Sequence, residues 1–262
     1  EISECLVGSE MCIRDRMIIV GGKQGISSFL SMVVNFGILF FSIVLIAFHM
    51  PPIIVTVVAS VILLSITIFW SSASDNASTT AFQASVLILI VLIAIIIPIE
   101  YWARVGGFGL EDSEELEGLS LYVGINFTKL AICTAILSSL GAIAEASIAI
   151  ASGLDEITTQ HPKIPADQLF ADGIFIGKQI IGTAVNTLFF GFFGSSMGLF
   201  IWFYGLNYSL GDILNDKIFA AELIAIVISL IGVVLTIPGT TLIMSYKLRR
   251  KQRQGPKTES DH

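Results

Sequence analysis

The chain has 262 residues, of which 54% are hydrophobic and 13% charged, with a mean hydropathy of +0.85 and a formal net charge of −7. A soluble domain carries roughly 25% charge, so a chain folded wholly in water is excluded. The acidic balance, with no basic face, also argues against a nucleic-acid partner.

The chain opens on Glu1, and the string Cys5-Leu-Val-Gly-Ser-Glu-Met-Cys-Ile-Arg-Asp15 resembles translated sequencing-adapter read-through. Residues 1–16 are therefore expected to be a non-native extension ahead of a start at Met17. Without their four acids and two bases the net charge is −5. Cys133 is then the remaining cysteine. It has no disulfide partner and reads as a small packed apolar residue.

From residue 24 to 74 there is no Asp, Glu, Lys or Arg, and further charge-free stretches cover 76–99, 179–211 and 223–246. A helix needs about 20 apolar residues to cross the hydrocarbon. The expected fold is an all-α, polytopic helical membrane protein with about six transmembrane helices, forming a single domain over 17–248. The first two spans, about 27–49 and 53–70, are separated by Met50-Pro51-Pro52, because a residue before proline is pushed out of the helical region. The third, about 80–99, ends on Glu100, Tyr101, Trp102 and Arg104, read as an interfacial anchor. An acidic loop follows, with Glu111, Asp112, Glu114, Glu115 and Glu117. The fourth span is expected over about 119–140, with 141–158 either continuing it or forming a separate half-helix. A connector with Pro162 and Pro165 leads to a helix from about Ala166, which crosses as the fifth span, about 178–204. The sixth span is about 218–246, with a kink expected at Pro238. Residues 249–262 form a basic, then polar, tail.

Placing the C-terminus in the cytoplasm puts Lys23, Lys163, Lys178, Lys247, Arg249, Arg250, Lys251, Arg253 and Lys257 inside, against Arg104 and Lys217 outside. The positive-inside rule thus favours both termini in the cytoplasm. The basic tail is accounted for by that signal, with attraction to anionic lipid as a second role.

Ionisable groups at membrane depth are costly and mark function by default. Glu145 stands among Ser138, Gly141, Ala149 and Ser152 at helical spacing, a small-residue face on which helices approach closely. It is expected to point into the protein, either as a coordinating or proton-carrying carboxylate or as a structural acid. Lys129 and Asn126 precede it; sixteen residues, about 24 Å of helix, keep Lys129 from pairing with Glu145, so snorkelling to an interface is the plain alternative. On the fifth helix Asp172, Gln179, Thr183 and Asn186 share a stripe flanked by Lys178 and Gly182. Gly173/Gly177 and Gly194/Gly198 form small-xxx-small pairs, and Gly141, Gly182, Gly194 and Gly198 are expected to pack helices. Gly194-Ser195-Ser196 is also a candidate break exposing backbone groups to a cavity. Plain helix–helix hydrogen bonding is the competing account of the stripe. Glu222, early in the sixth span, reads as an interfacial acid at a helix start.

Enzyme signatures are missing: there is no H-E-x-x-H, no G-x-S-x-G and no phosphate loop. His49, His161 and His262 all fall near loops or a terminus. No enzymatic activity, cofactor or metal is expected.

Gly124-Ile-Asn-Phe-Thr-Lys129, Leu140-Gly-Ala-Ile-Ala-Glu-Ala-Ser-Ile-Ala-Ile-Ala-Ser-Gly-Leu-Asp-Glu156, Gly182-Thr-Ala-Val-Asn-Thr-Leu188 and Gly194-Ser-Ser196 together resemble the YibE/F family of bacterial multi-pass membrane proteins. The match is specific over about 119–246 and looser upstream. Two positions depart from the pattern the family implies: Glu145 stands where Asp is expected, and His161-Pro162 where Asn-Pro is usual. The longer reach of Glu145 weakens a strict geometric role for its carboxylate. The resemblance implies a partner, since such proteins occur as two adjacent genes: a second YibE/F-family subunit, or a homo-oligomer, within the lipid bilayer. The leading expectation is a permease or channel-like subunit for a small solute or ion, working between the fourth and fifth spans. The alternative is a non-transporting accessory or scaffold subunit.

Overall fold

The computed structural model describes residues 2–71, 74–103 and 126–253, and these contain helices and no strand. In chain order the helices are α1 (Ile2–Ala47), α2 (Pro52–Ser71), α3 (Asp75–Ala103), α4 (Phe127–Gln160), α5 (Ala166–Ser195), α6 (Met197–Gly205), α7 (Leu210–Asn215) and α8 (Lys217–Arg253). Six of them (α1 from Gln24, α2, α3, α4, α5 and α8) are long and apolar enough to cross a membrane. The acidic loop, Arg104, the stretch from 119 to 125 and the tail from 254, with Lys257, lie outside the described residues.

The boundaries are set by local chemistry. Helix α1 is interrupted at Gly22, whose φ of 53° only glycine adopts freely. Its C-terminal end turns through His49 (φ 64°) into Pro51, and α2 starts on Pro52, the first-turn position where a missing N–H costs nothing. Asn126 caps α4 by accepting from the Lys129 N–H at 3.2 Å. Helix α5 starts behind Pro165. Ser209 and Asp212 form a reciprocal capping box on α7, and Ser209 holds the exposed Asp212 carboxyl below the ordinary carboxylate range, first through its hydroxyl and then through its N–H.

Helices α3, α4 and α8 pack together as the centre, α2 covers α3 and α4, and α1 packs on α2. Helix α3 is therefore part of the core. Its small residues Ala77, Ala81, Ala84 and Ser85 are buried, as are Ala144, Ser147 and Ala151 on α4. Without hydrophobic attraction between helices inside lipid, close approach of small residues supplies the packing. Gly232 of α8 takes Leu92 and Ile143 against its backbone. Ser85 and Ser147 hydrogen-bond across α3 and α4 at 2.7 Å.

Helix α5 lies along α8. A Cβ at Gly173 would fall 2.5 Å from Thr241 Cγ2, and one at Gly177 would fall 2.1 Å from Ile237 Cγ2. At the far end Phe192, Phe203 and Phe219 close an aromatic cluster among α5, α6 and α8. The Gly173/Gly177 pair thus packs helices. Gly141, Gly182, Gly194 and Gly198 do not do so among the described residues: a Cβ on any of them would meet nothing within 4 Å. The hitch at Ser196 is real, separating α5 from α6. Its N–H reaches Phe192 O and its carbonyl accepts from the Phe200 N–H, so the backbone groups of Ser196 itself are both paired.

Two sequence expectations move with the helix limits. Span four is 127–160, continuous through Gly141, rather than 119–140. Asn126 and Lys129 therefore sit at the start of α4, one as its cap and the other exposed in its first turn. Glu100, expected at an interface beside Tyr101 and Trp102, is 1% exposed, while Trp102 is 90% exposed.

Candidate functional site

Two polar features stand out: an outward face on α4 and α5, and a cavity at the end of the bundle that carries the C-terminal basic stretch.

Glu145 lies close to the middle of the 34-residue α4. Thr134, Ser138, Gly141, Glu145, Ala149 and Ser152 are all exposed or partly so. The opposite side carries Ile136, Ile143, Ile150 and Leu154, each 0% exposed. The small-residue face exists as expected, but it turns outward, because the large aliphatic residues of α4 take the contacts with α3 and α8. Glu145 has no hydrogen bond or ion pair with any described residue.

Gln179, Thr183, Asn186 and Lys178 line the outer side of α5, and Gly182 is open between them. The Thr183 hydroxyl donates to Ile180 O at 3.0 Å and the Asn186 amide to Gly182 O at 2.9 Å. These two side chains are satisfied by their own helix. Lys178, like Glu145, has no partner among the described residues.

Helices α4 and α5 meet where Gly153 faces Ile176, a Cβ there lying 3.2 Å from Cδ1. Glu145 and Ala184 each lie about 12 Å along their antiparallel helices from that point, so Glu145 and Thr183 share a depth. The structure thus sets Glu145 level with the α5 stripe, on adjoining outward faces, without a hydrogen bond between them. Both helices make their larger contacts with α8.

The cavity has a volume of about 510 Å³. Its walls come from the first turns of α3 (Asn76, Thr80), the last turns of α4 (Asp155, Thr158, Thr159) and the end of α8 (Met244, Lys247, Leu248, Lys251). Lys247 is half-buried and donates from Nζ to Thr80 Oγ1 at 3.0 Å. Thr80, fully buried, donates its own hydroxyl hydrogen bond to Asn76 O at 2.8 Å. Asp155 accepts from the Ser74 hydroxyl at 2.7 Å, tying the start of α3 to α4. Gln252, which also lines the cavity, donates to Ile164 O at 3.0 Å, and outside it Asp167 of α5 pairs with Arg249 of α8.

Sequence reasoning singles out none of the cavity residues as a site. Lys247 reads as an orientation charge, and Thr80 and Asp155 as span ends. Their convergence depends on three helices from distant parts of the chain. The local signal is the pair of lysines one turn apart, Lys247 and Lys251.

Among the described residues no group of three His, Cys, Asp or Glu side chains is placed to hold a metal ion. In comparison with known proteins, a family model described as YibE/F-like protein matches residues 16–250. No curated protein and no solved structure matches the chain.

Proposed function

We propose that this chain, which belongs to the YibE/F-like family, is one subunit of a multimeric permease or channel for a small solute or ion. In this reading a second subunit, either another copy or another member of the family, closes over the outward face of α4 and α5. The observation that carries it is Glu145, exposed and unpaired at mid-helix on a face of small residues. An acid at the centre of a bilayer costs roughly 2.5–3.5 kcal/mol on insertion scales, and lipid supplies it no partner. A facing subunit supplies both close packing and a polar surround, and Glu145, Gln179, Thr183 and Asn186 then line the path between subunits. Lys178, also unpaired, supports the same face. The positive-inside count favours both termini in the bacterial cytoplasm.

Flux into proteoliposomes is the test, with Glu145→Ala and Asn186→Ala compared with wild type and with cysteine cross-linking through Ala149→Cys as the assembly readout. Loss of flux in Glu145→Ala is expected; wild-type flux in both variants removes these residues from the mechanism.

A second reading, an accessory subunit that docks a family partner without moving anything, is favoured by one observation. Thr183 and Asn186 spend their donors on their own helix, and Gly182, Gly191, Gly194 and Gly198 lie open for a close-packed helix. It predicts that the same substitutions lower complex yield while wild-type protein carries no flux.

A further inference from the structure

We propose that the cavity enclosed by the ends of α3, α4 and α8 binds a phosphoryl anion, presented either on a lipid headgroup or as free phosphate. The site is separate from the α4–α5 face and does not rest on the transport reading.

Lys247 is an uncompensated cation. An ammonium has three donors, and Lys247 uses one of them, on Thr80. Among the described residues no carboxylate lies within ion-pair distance of it. A half-buried charge of this kind is retained where something of opposite sign joins it. Lys251 lines the same cavity one helical turn further on. Like charges at that spacing repel, and an anion between them turns the repulsion into a clamp.

The other groups leave the cavity positive. Among the described residues Asp155 is the one carboxylate lining it, and it faces Ser74 rather than either lysine. Two ammonium groups therefore stand against one carboxylate. The Thr158 and Thr159 hydroxyls both donate to Asp155 O at 2.9 Å, so they hold the wall and do not compete for the lysines. Asn76, at the opening of α3, adds an amide donor beside them. A tetrahedral oxyanion matches this set: ammonium groups as point charges and a neutral amide.

Size and polarity agree with an anion that carries an apolar body. About 510 Å³ is more room than the anion alone fills, and Met244, Leu248 and Pro162 give the cavity apolar walls. Its α8 wall is the point where the apolar stretch of that helix gives way to its basic end, the composition of a membrane edge. Orientation by positive charge explains why lysines occur at this end. It does not explain why one of them is seated on a buried hydroxyl inside a cavity.

The test uses the full chain in a maltoside detergent and measures thermal stabilisation and native mass spectra with three probes: short-chain phosphatidic acid, inorganic phosphate and short-chain diacylglycerol. The proposal expects binding of phosphatidic acid, phosphate or both, and none of diacylglycerol beyond background. Lys247→Gln is expected to weaken binding at least tenfold, Lys251→Gln several-fold, and Asp155→Asn to strengthen it. Arg250→Gln removes a neighbouring charge outside the cavity and is expected to bind as wild type. Should Lys247→Gln fail to fold, the exposed Lys251 decides the matter alone. Binding of phosphatidic acid without phosphate assigns the site to a lipid headgroup, and competition by phosphate assigns it to a soluble anion. Binding of neither, wild-type binding by the lysine variants, or an equal loss in Arg250→Gln overturns the proposal.

Discussion

Lys247 Nζ donates to Thr80 Oγ1 at 3.0 Å across 167 residues of sequence, joining the last span to the second turn of the third. Thr80 is fully buried and acts at once as acceptor for the ammonium and donor to its own helix. Both roles vanish in Thr80→Val, which keeps the shape and leaves the ammonium without its protein partner. A buried group that loses its partner costs about 1–3 kcal/mol. Thermal unfolding in detergent should show Thr80→Val destabilised by that order and Thr80→Ser close to wild type. Equal stability of all three would mean that the hydroxyl does not hold Lys247.

The glycines separate into two kinds, and one substitution at each tells them apart. Gly177→Ala drives a methyl into Ile237 of α8, and overpacking of this sort costs roughly 1–3 kcal/mol. Gly182→Ala, further along the same helix, meets nothing within 4 Å and gains helix propensity of up to about 1 kcal/mol. Unfolding midpoints of the two variants should move in opposite directions. A loss of stability at Gly182 as large as at Gly177 would refute the packing of α5 described above.

Ser85 and Ser147 form a buried pair at 2.7 Å, and the Ser147 hydroxyl also donates to Ala144 O at 3.0 Å. Ser85 is therefore the donor in the pair. Ser147→Ala orphans it and should cost about 1 kcal/mol or somewhat more, whereas adding Ser85→Ala removes the orphan and recovers part of the loss. A double-mutant cycle on denaturation in mixed micelles gives the coupling, and strict additivity would show that the two hydroxyls act independently.

The capping box on α7 sets a pH dependence outside the six long helices. Ser209 lowers the Asp212 carboxyl, so its folded value is depressed relative to the unfolded chain. The box is therefore fully formed above the unfolded carboxylate value and is lost as pH falls through the folded one. Amide exchange across 209–215, corrected for its intrinsic pH dependence, should accelerate below the ordinary carboxylate range. Asp212→Asn should remove that acceleration.

Five of the six crossings are legible in the sequence because charge-free runs longer than a bilayer is thick rarely arise in soluble folds, and Pro51-Pro52 and Pro162 to Pro165 mark two of the turns. The start of α4 is not legible, since the apolar stretch from 119 looks as suitable for a span as the residues beyond 127. Asn126 has the composition of a polar group at membrane depth, whereas its side chain caps the helix. The outward turn of Glu145 is hidden for a physical reason: a stripe of small residues suits a neighbour in the same chain and one in another chain equally well. The cavity is invisible because Thr80, Asp155 and Lys247 belong to three helices, and nothing local in any of them requires the others. Glu100 gives no warning either, as an acid just before Tyr101 and Trp102 fits the usual composition of a membrane edge.

Of the six long helices α8 comes latest in the chain, yet it touches α3, α4 and α5 and carries the glycine-sized recess at Gly232. Until it arrives, the aliphatic side of α4 and the close-packing glycines of α5 have no complete seat. The pairing of α1 with α2, through Asn35 and Thr67 at 2.8 Å, is made without α8. Insertion of α8 is thus the step that commits the chain to its fold. A chain truncated before residue 217 would lose the centre of the bundle.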